Sequence, residues 1–253
     1  VGTGVLATDG KLDEKRVGQL SRDISGLLDE GRQVVHVTSG AILAAMSERN
    51  IDRGTYRERF ASDDDYTFSL RLLSGEGQPR LMESYRHAFC RYGRRVAQLL
   101  VTRNDIENYS TVMEGLLLDG VIPILNENDA LSYDEISFSD NDILAAMTCN
   151  TIGADLLVML SDSELYDSDP KKNPDAKHLE VMPVYEIREE MLDGANGTGE
   201  WGRGGMHSKL IAARDVGRFG RPTILINYKD CAYDDMRIQR ALRGGYVGTL
   251  FVP

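Results

Sequence analysis

The sequence contains no apolar run near the ~20 residues that a membrane-crossing helix needs. Nothing near Val1 reads as a signal peptide. Only three of the 253 residues are cysteines, an odd number with no C-x-x-C spacing. Neither a disulfide framework nor a zinc site is expected, and Cys90, Cys149 and Cys231 read as reduced core thiols of a cytoplasmic protein. Positive charge is also scarce. Lys and Arg number 29 against 40 Asp and Glu, a net charge of -11 that repels a phosphate backbone and argues against nucleic acid as a partner. None of the four histidines stands among acids or cysteines at ligand spacing, so no metal-ligating residues are assigned. His36 reads as a core histidine and His207 as a helix-start residue. Asp167 and Asp169 begin a calcium-like pattern, which Pro170 and a missing glycine reject.

What is present is alternation. "KLDEKRVGQLSRDISGLLDEG" sets Leu12, Val17, Leu20, Ile24, Leu27 and Leu28 at helical spacing and closes on Gly31. "QVVHV" follows as a strand. Helix is then expected for "RLMESYRHAFCRYG", strand for "VAQLLV", helix for "STVMEGLLLDG", strand for "VIPIL", helix for "ILAAMTCNTIG", strand for "DLLVML", helix for "GMHSKLIAARDVGRFG" and strand for "PTILIN". Such a sequence predicts an α/β fold, a largely parallel sheet covered on both faces. Asp63 to Asp65 and "DSDPKKNPDAKH" read as solvated loops, no linker divides the chain, and Val1 reads as the end of a strand that begins upstream.

In open α/β sheets ligands sit beyond the carboxyl ends of the strands. Small and polar residues gather at those places: Gly2-Thr3-Gly4, Thr38-Ser39-Gly40, Asn126 to Asp129, and Ser161-Asp162. Asp140-Asn141-Asp142 opens a helix. One such residue satisfies the free N–H groups of a helix start, and the surplus points to a ligand. "GRGGMHSKL", from Gly202 to Leu210, joins glycines that admit a phosphate to a helix N-terminus and Lys209. The G-x-x-x-x-G-K-[ST] order of a P-loop is absent. The combined chemistry is Gly and Lys for polyphosphate, Ser and Asn for a carboxylate, and Asp for an ammonium or magnesium ion. It suits phosphoryl transfer to a carboxylate, a nucleophile that is already ionised and needs alignment and charge neutralisation rather than a base.

In order along nearly the whole chain, "VGTGVL", "VVHVTSGAI", "GQPRLM", "VAQLLVT", "PILNENDALSYDEISFSDNDILAA", "LLVMLSDSELYDSDP", "GGMHSKLIAA" and "VGTLF" resemble the glutamate 5-kinase branch of the amino acid kinase family. The resemblance implies a three-layer α/β/α sandwich with a mainly parallel central sheet, one kinase domain over residues 1–253. It also implies ATP- and Mg²⁺-dependent phosphorylation of the γ-carboxylate of L-glutamate, the first step of proline biosynthesis. Proline is then a possible feedback inhibitor, and a homo-oligomer, dimer or tetramer, is expected. By matched position, Ser39, Asn126, Asp129, Asp140 and Asn141 would serve glutamate, and Asp142 would organise the catalytic lysines. Gly2, Thr3, Gly4, Ser161 and Asp162 would serve the nucleotide. Arg203, Gly204, Gly205, Met206, His207, Ser208 and Lys209 would form its phosphate loop, with Lys209 stabilising the transferring group. The chain departs from the pattern at four points. Members carry a lysine just before "VGTG", upstream of Val1. Arg203 replaces a threonine, a glycine between Glu164 and Leu165 is missing, and no C-terminal PUA domain fits within 253 residues. A kinase of another carboxylate and a catalytically silent amino-acid sensor are the alternatives.

Overall fold

A computed structural model of the chain describes residues 1–131, 141–168, 173–194, 205–229, 231–232, 235–245 and 247–253. The chain forms two compact units, Leu6–Ser139 and, with Val1–Val5, Asp140–Pro253.

In the first of these, helix α1 (Glu14–Asp29) begins where Asp13 accepts hydrogen bonds from the N–H groups of Lys15 and Arg16. It buries Val17, Leu20, Ile24 and Leu27 of the stripe read from the sequence, whereas Leu28 is half-buried and Leu12 lies before the helix in the short strand Lys11–Leu12, and Gly31 ends it at φ 78°. "QVVHV" contributes only His36–Val37 to strand β1. Helix α2 (Ala41–Glu48) follows. Helix α3 (Asp63–Cys90) corrects the sequence reading twice, since it starts well before Arg80 and its first turn is the acidic stretch taken for a loop. Ser62 caps it by accepting from the Asp65 N–H, and Asp63, Asp64 and Asp65 suit the positive end of its dipole. Strand β2 (Arg95–Val101), helix α4 (Ser110–Leu118) and strand β3 (Val121–Glu127) complete the unit as expected. The sheet is parallel, in the order β1-β3-β2.

His36 is 4% exposed, its ring edge-on to Tyr85 at 4.9 Å, and burial pushes its pKa from 6.5 down to about 3. Because the unfolded chain takes up the proton first, this histidine removes stability as pH falls from 6.5 to about 3, with a slope approaching ~1.4 kcal/mol per pH unit. His36→Phe is expected to flatten that acid limb when the urea midpoint is followed against pH. Parallel curves for the two proteins would contradict the assignment.

In the second unit Val1, expected to close a strand, lies outside any strand. The Gly2 N–H donates to the Leu160 carbonyl at 3.3 Å, and a helical turn starts at Thr3. Helix α5 (Asn141–Thr151), strand β4 (Leu157–Ser161), strand β5 (Val181–Pro183), helix α6 (Gly205–Arg218), strand β6 (Thr223–Asn227) and strand β7 (Thr249–Val252) follow. The sheet order is β4-β6-β7-β5. β4 and β6 are parallel, as are β5 and β7, but β6 and β7 are antiparallel. Strands β5 and β7 were not anticipated. Leu157, Met159, Leu210, Ala213, Val216, Leu225 and Phe251 form the core. The three cysteines are free, but Cys90 is exposed rather than a core thiol, because it is the last residue of α3. No helix among the described residues is long and apolar enough to cross a membrane.

Candidate functional site

Two polar clusters carry the residues that the sequence singled out, one in each unit. In the Asp140–Pro253 unit the first turn of α5 places Asn141 and Asp142 side by side, and Asn141 is buried. Lys209, in the second turn of α6, sets its Nζ 2.9 Å from Asp142 Oδ2 and 3.4 Å from the Gly205 carbonyl. Ser208 donates to the same carboxylate oxygen at 2.8 Å. The Lys209 and Asp142 side chains are 11% and 16% exposed, so this ion pair is more than a screened surface contact. It ties together the starts of two helices, the positive ends of their dipoles.

Ser161 is the buried last residue of β4, and its hydroxyl accepts from the Ser163 N–H at 3.3 Å. Asp162 reaches back to the first residues of the chain. A Cβ on Gly4 would lie 2.2 Å from Asp162 Oδ2, so glycine leaves the room that this carboxylate occupies. Within the "GGMHSK" run, Met206 packs on the core, and His207 Nδ1 donates to the Leu192 carbonyl at 2.9 Å. Ser208 and Lys209 thus share one oxygen of Asp142. Asp140, Arg203 and Gly204 lie outside the described residues.

The second cluster, in the Leu6–Ser139 unit, stands at the carboxyl ends of β1 and β3. Ser39 is no helix cap: α2 is capped by Gly40, whose φ of 108° suits glycine and which makes no side-chain cap bond. Asn126 and Glu127 are the buried last residues of β3, and Asp129 follows Asn128, whose N–H extends the parallel β2–β3 pairing to the Val101 carbonyl at 2.8 Å. Asp129 accepts from Ser74 Oγ at 2.9 Å, and Arg71 donates to the Ala130 carbonyl at 2.8 Å. Sequence reasoning missed both α3 residues. The available signal was a polar Ser74 lying within the Leu70, Leu73, Gly77, Leu81 stripe, because a buried polar side chain is the informative exception on an apolar helix face.

A family model described as the amino acid kinase family matches residues 1–227. The chain is 38% identical over 262 residues to a protein named glutamate 5-kinase from Geobacter sulfurreducens, covering 100% of this chain and 66% of that protein. It is also 38% identical over 258 residues to one of the same name from Thermus thermophilus, covering 99% of this chain and 65% of that protein. The chain thus spans 66% of the length of the first of these relatives. Among solved structures, carbamate kinase from Giardia lamblia bound to AMP-PNP superimposes with a TM-score of 0.66 at 16% identity, covering 99% of this chain and 96% of that one. That likeness shows the α/β fold.

Proposed function

The chain belongs to the amino acid kinase family, and from that premise we propose that it transfers the γ-phosphoryl group of ATP to the γ-carboxylate of L-glutamate. Relatives named glutamate 5-kinase support the substrate. The observation that carries the chemistry is the Lys209–Asp142–Ser208 cluster at the starts of α5 and α6.

A carboxylate oxygen of glutamate attacks Pγ, the bond from Pγ to the β,γ-bridging oxygen breaks, and ADP leaves with that electron pair. The product is an acyl phosphate. Glutamate, with a side-chain pKa of about 4.3 in model peptides, is already ionised at neutral pH, so no base is required. That fits a site whose polar groups are a lysine, amides, hydroxyls and carboxylates. Lys209 sits on the phosphoryl oxygens as charge spreads over them, and Asp142 fixes its ammonium in place. Ser39, Asn126, Asp129 and Asn141 serve the amino acid, with Asp129 matching the ammonium group. Gly4, Ser161, Asp162 and the α6 N-terminus serve the nucleotide. No cluster of three or more His, Cys, Asp or Glu side chains able to hold a metal occurs among the described residues. Magnesium would arrive with the triphosphate and would neutralise part of the charge on its phosphate oxygens. A kinase domain over residues 1–253, cytoplasmic location, inhibition by proline and a homo-oligomeric state belong to the same proposal.

The test is ATP-dependent acyl-hydroxamate formation, in which hydroxylamine traps the acyl phosphate. Product with L-glutamate is expected. No product with glutamate but product with another acid would reject the substrate assignment. The Gly4–Asp162 packing gives a second expected result. Gly4→Ala must displace the Asp162 carboxylate, and the KM for ATP is expected to rise about tenfold, the cost of one misplaced polar contact, while the KM for glutamate stays within twofold. Equal changes in both would contradict the division of roles.

A further inference from the structure

Behind Ser39 runs a buried hydroxyl chain for which the proposed reaction has no use. Tyr85, near the C-terminal end of α3, is 0% exposed and places its phenol oxygen 2.8 Å from Thr38 Oγ1. Thr38, also 0% exposed, donates to the Ser39 carbonyl at 3.0 Å. Because the Thr38 proton goes to that carbonyl, Tyr85 must be the donor between the two hydroxyls, so the chain has one direction: Tyr85 to Thr38 to Ser39. Burial pushes the Tyr85 phenol above its ordinary pKa and keeps it a donor at neutral pH. The Thr38 N–H is held independently by the Leu125 carbonyl at 2.9 Å.

The held atom matters because a peptide group is planar and trans. Fixing the Ser39 carbonyl fixes the whole Ser39–Gly40 peptide and turns the Gly40 N–H the opposite way. Gly40 stands at φ 108°, where its freedom leaves the loop few restraints of its own. A rigid aromatic on a long helix supplies the restraint instead. A hydroxyl chain sealed from water is polarised along its length and is costly to break at any link.

We propose that Tyr85, acting through Thr38, is a positioning residue for the acceptor loop, holding Ser39 and the Ser39–Gly40 peptide in the orientation that receives the amino-acid substrate. This rests on the reading of Ser39 as a glutamate-binding residue. Tyr85 does not touch substrate. Its effect belongs to glutamate recognition and leaves the nucleotide side unmoved.

The test measures kcat and both KM values, by acyl-hydroxamate formation on the full chain, for Tyr85→Phe, Thr38→Val, their double variant and Thr38→Ser. Tyr85→Phe keeps the buried ring, and Thr38→Ser keeps the hydroxyl link. Tyr85→Phe and Thr38→Val are each expected to raise the KM for glutamate about five- to tenfold, with the KM for ATP within twofold. The double variant should be no worse than the poorer single one, because both break one chain. Thr38→Ser should stay within twofold of the unaltered protein. An unchanged glutamate KM, equal shifts for ATP, or multiplying effects in the double variant would overturn the inference while leaving the glutamate reading intact. An unaltered protein that makes no glutamyl product would remove that reading and this inference with it.

Discussion

Lys209→Met is expected to lower kcat by about a thousandfold, the upper range for removing one preorganised donor from a developing charge, while changing the KM for glutamate less than threefold. Methionine keeps the length and the buried stem and deletes only the ammonium. The lysine is already placed before substrate arrives, with Nζ 2.9 Å from Asp142 and a side chain 11% exposed. Its charge therefore needs little reorganisation when the phosphoryl oxygens take up charge. An interaction made mainly in the transition state lowers kcat and kcat/KM together, whereas a ground-state contact would raise KM alone. Loss of the cation leaves the Asp142 carboxylate with its Ser208 hydrogen bond, so some stability is lost as well. Urea unfolding separates the two effects, and Asp142→Asn supplies the comparison, because it keeps a polar partner near Lys209 while removing the charge that anchors it. A Lys209→Met protein with unaltered kcat and a raised glutamate KM would show that Lys209 belongs to the amino-acid side.

The elements that could be read from the sequence are those with one strong periodic signal and a punctuating residue at each end. Helix α1 has its stripe and Gly31, and β3 opens with the apolar run from Val121 to Leu125 before its polar end at Asn126 and Glu127. Strands β5 and β7 were missed because three- and four-residue segments such as Val181–Pro183 carry too little pattern to register. The start of α3 was missed because its acids look like a solvated loop, although Asp residues behind a serine cap are also how helices begin. The candidate residues stood out in the sequence where they are short, polar and at or just beyond the end of a strand, as Ser39, Asn126 and Ser161 are. The supports behind it were not. Ser74 and Tyr85 are fixed by tertiary packing from a helix far away in sequence, and no local spacing reports that.

The same helix also carries the substitution with the largest expected loss of stability. "GEGQP" looks like a break, with two glycines and a proline, yet Gly77 and Pro79 both lie inside α3. Gly77 is there because α2 crosses against it. A Cβ at this position would stand 1.8 Å from the Ala41 carbonyl oxygen, 2.7 Å from its carbon and 2.9 Å from the Ala45 nitrogen. These are backbone atoms of a helix and cannot rotate aside as a side chain could. Two effects oppose each other in Gly77→Ala. Helix propensity favours alanine by about 1 kcal/mol, whereas overpacking a rigid contact costs about 3 kcal/mol or more. The clash wins, and a net loss of at least ~2 kcal/mol in urea unfolding is expected. Ala41 is the first residue of α2 and follows directly on Ser39 and Gly40, so displacing the helix also moves the acceptor loop, and the KM for glutamate should rise in whatever protein remains folded. Gly18, within α1, has nothing beyond its chain neighbours and its own helix backbone within 4 Å of its would-be Cβ. Gly18→Ala should therefore gain stability by up to about 1 kcal/mol, the opposite sign from the same chemical change. If both substitutions stabilise, α2 and α3 do not approach each other as closely as Gly77 allows.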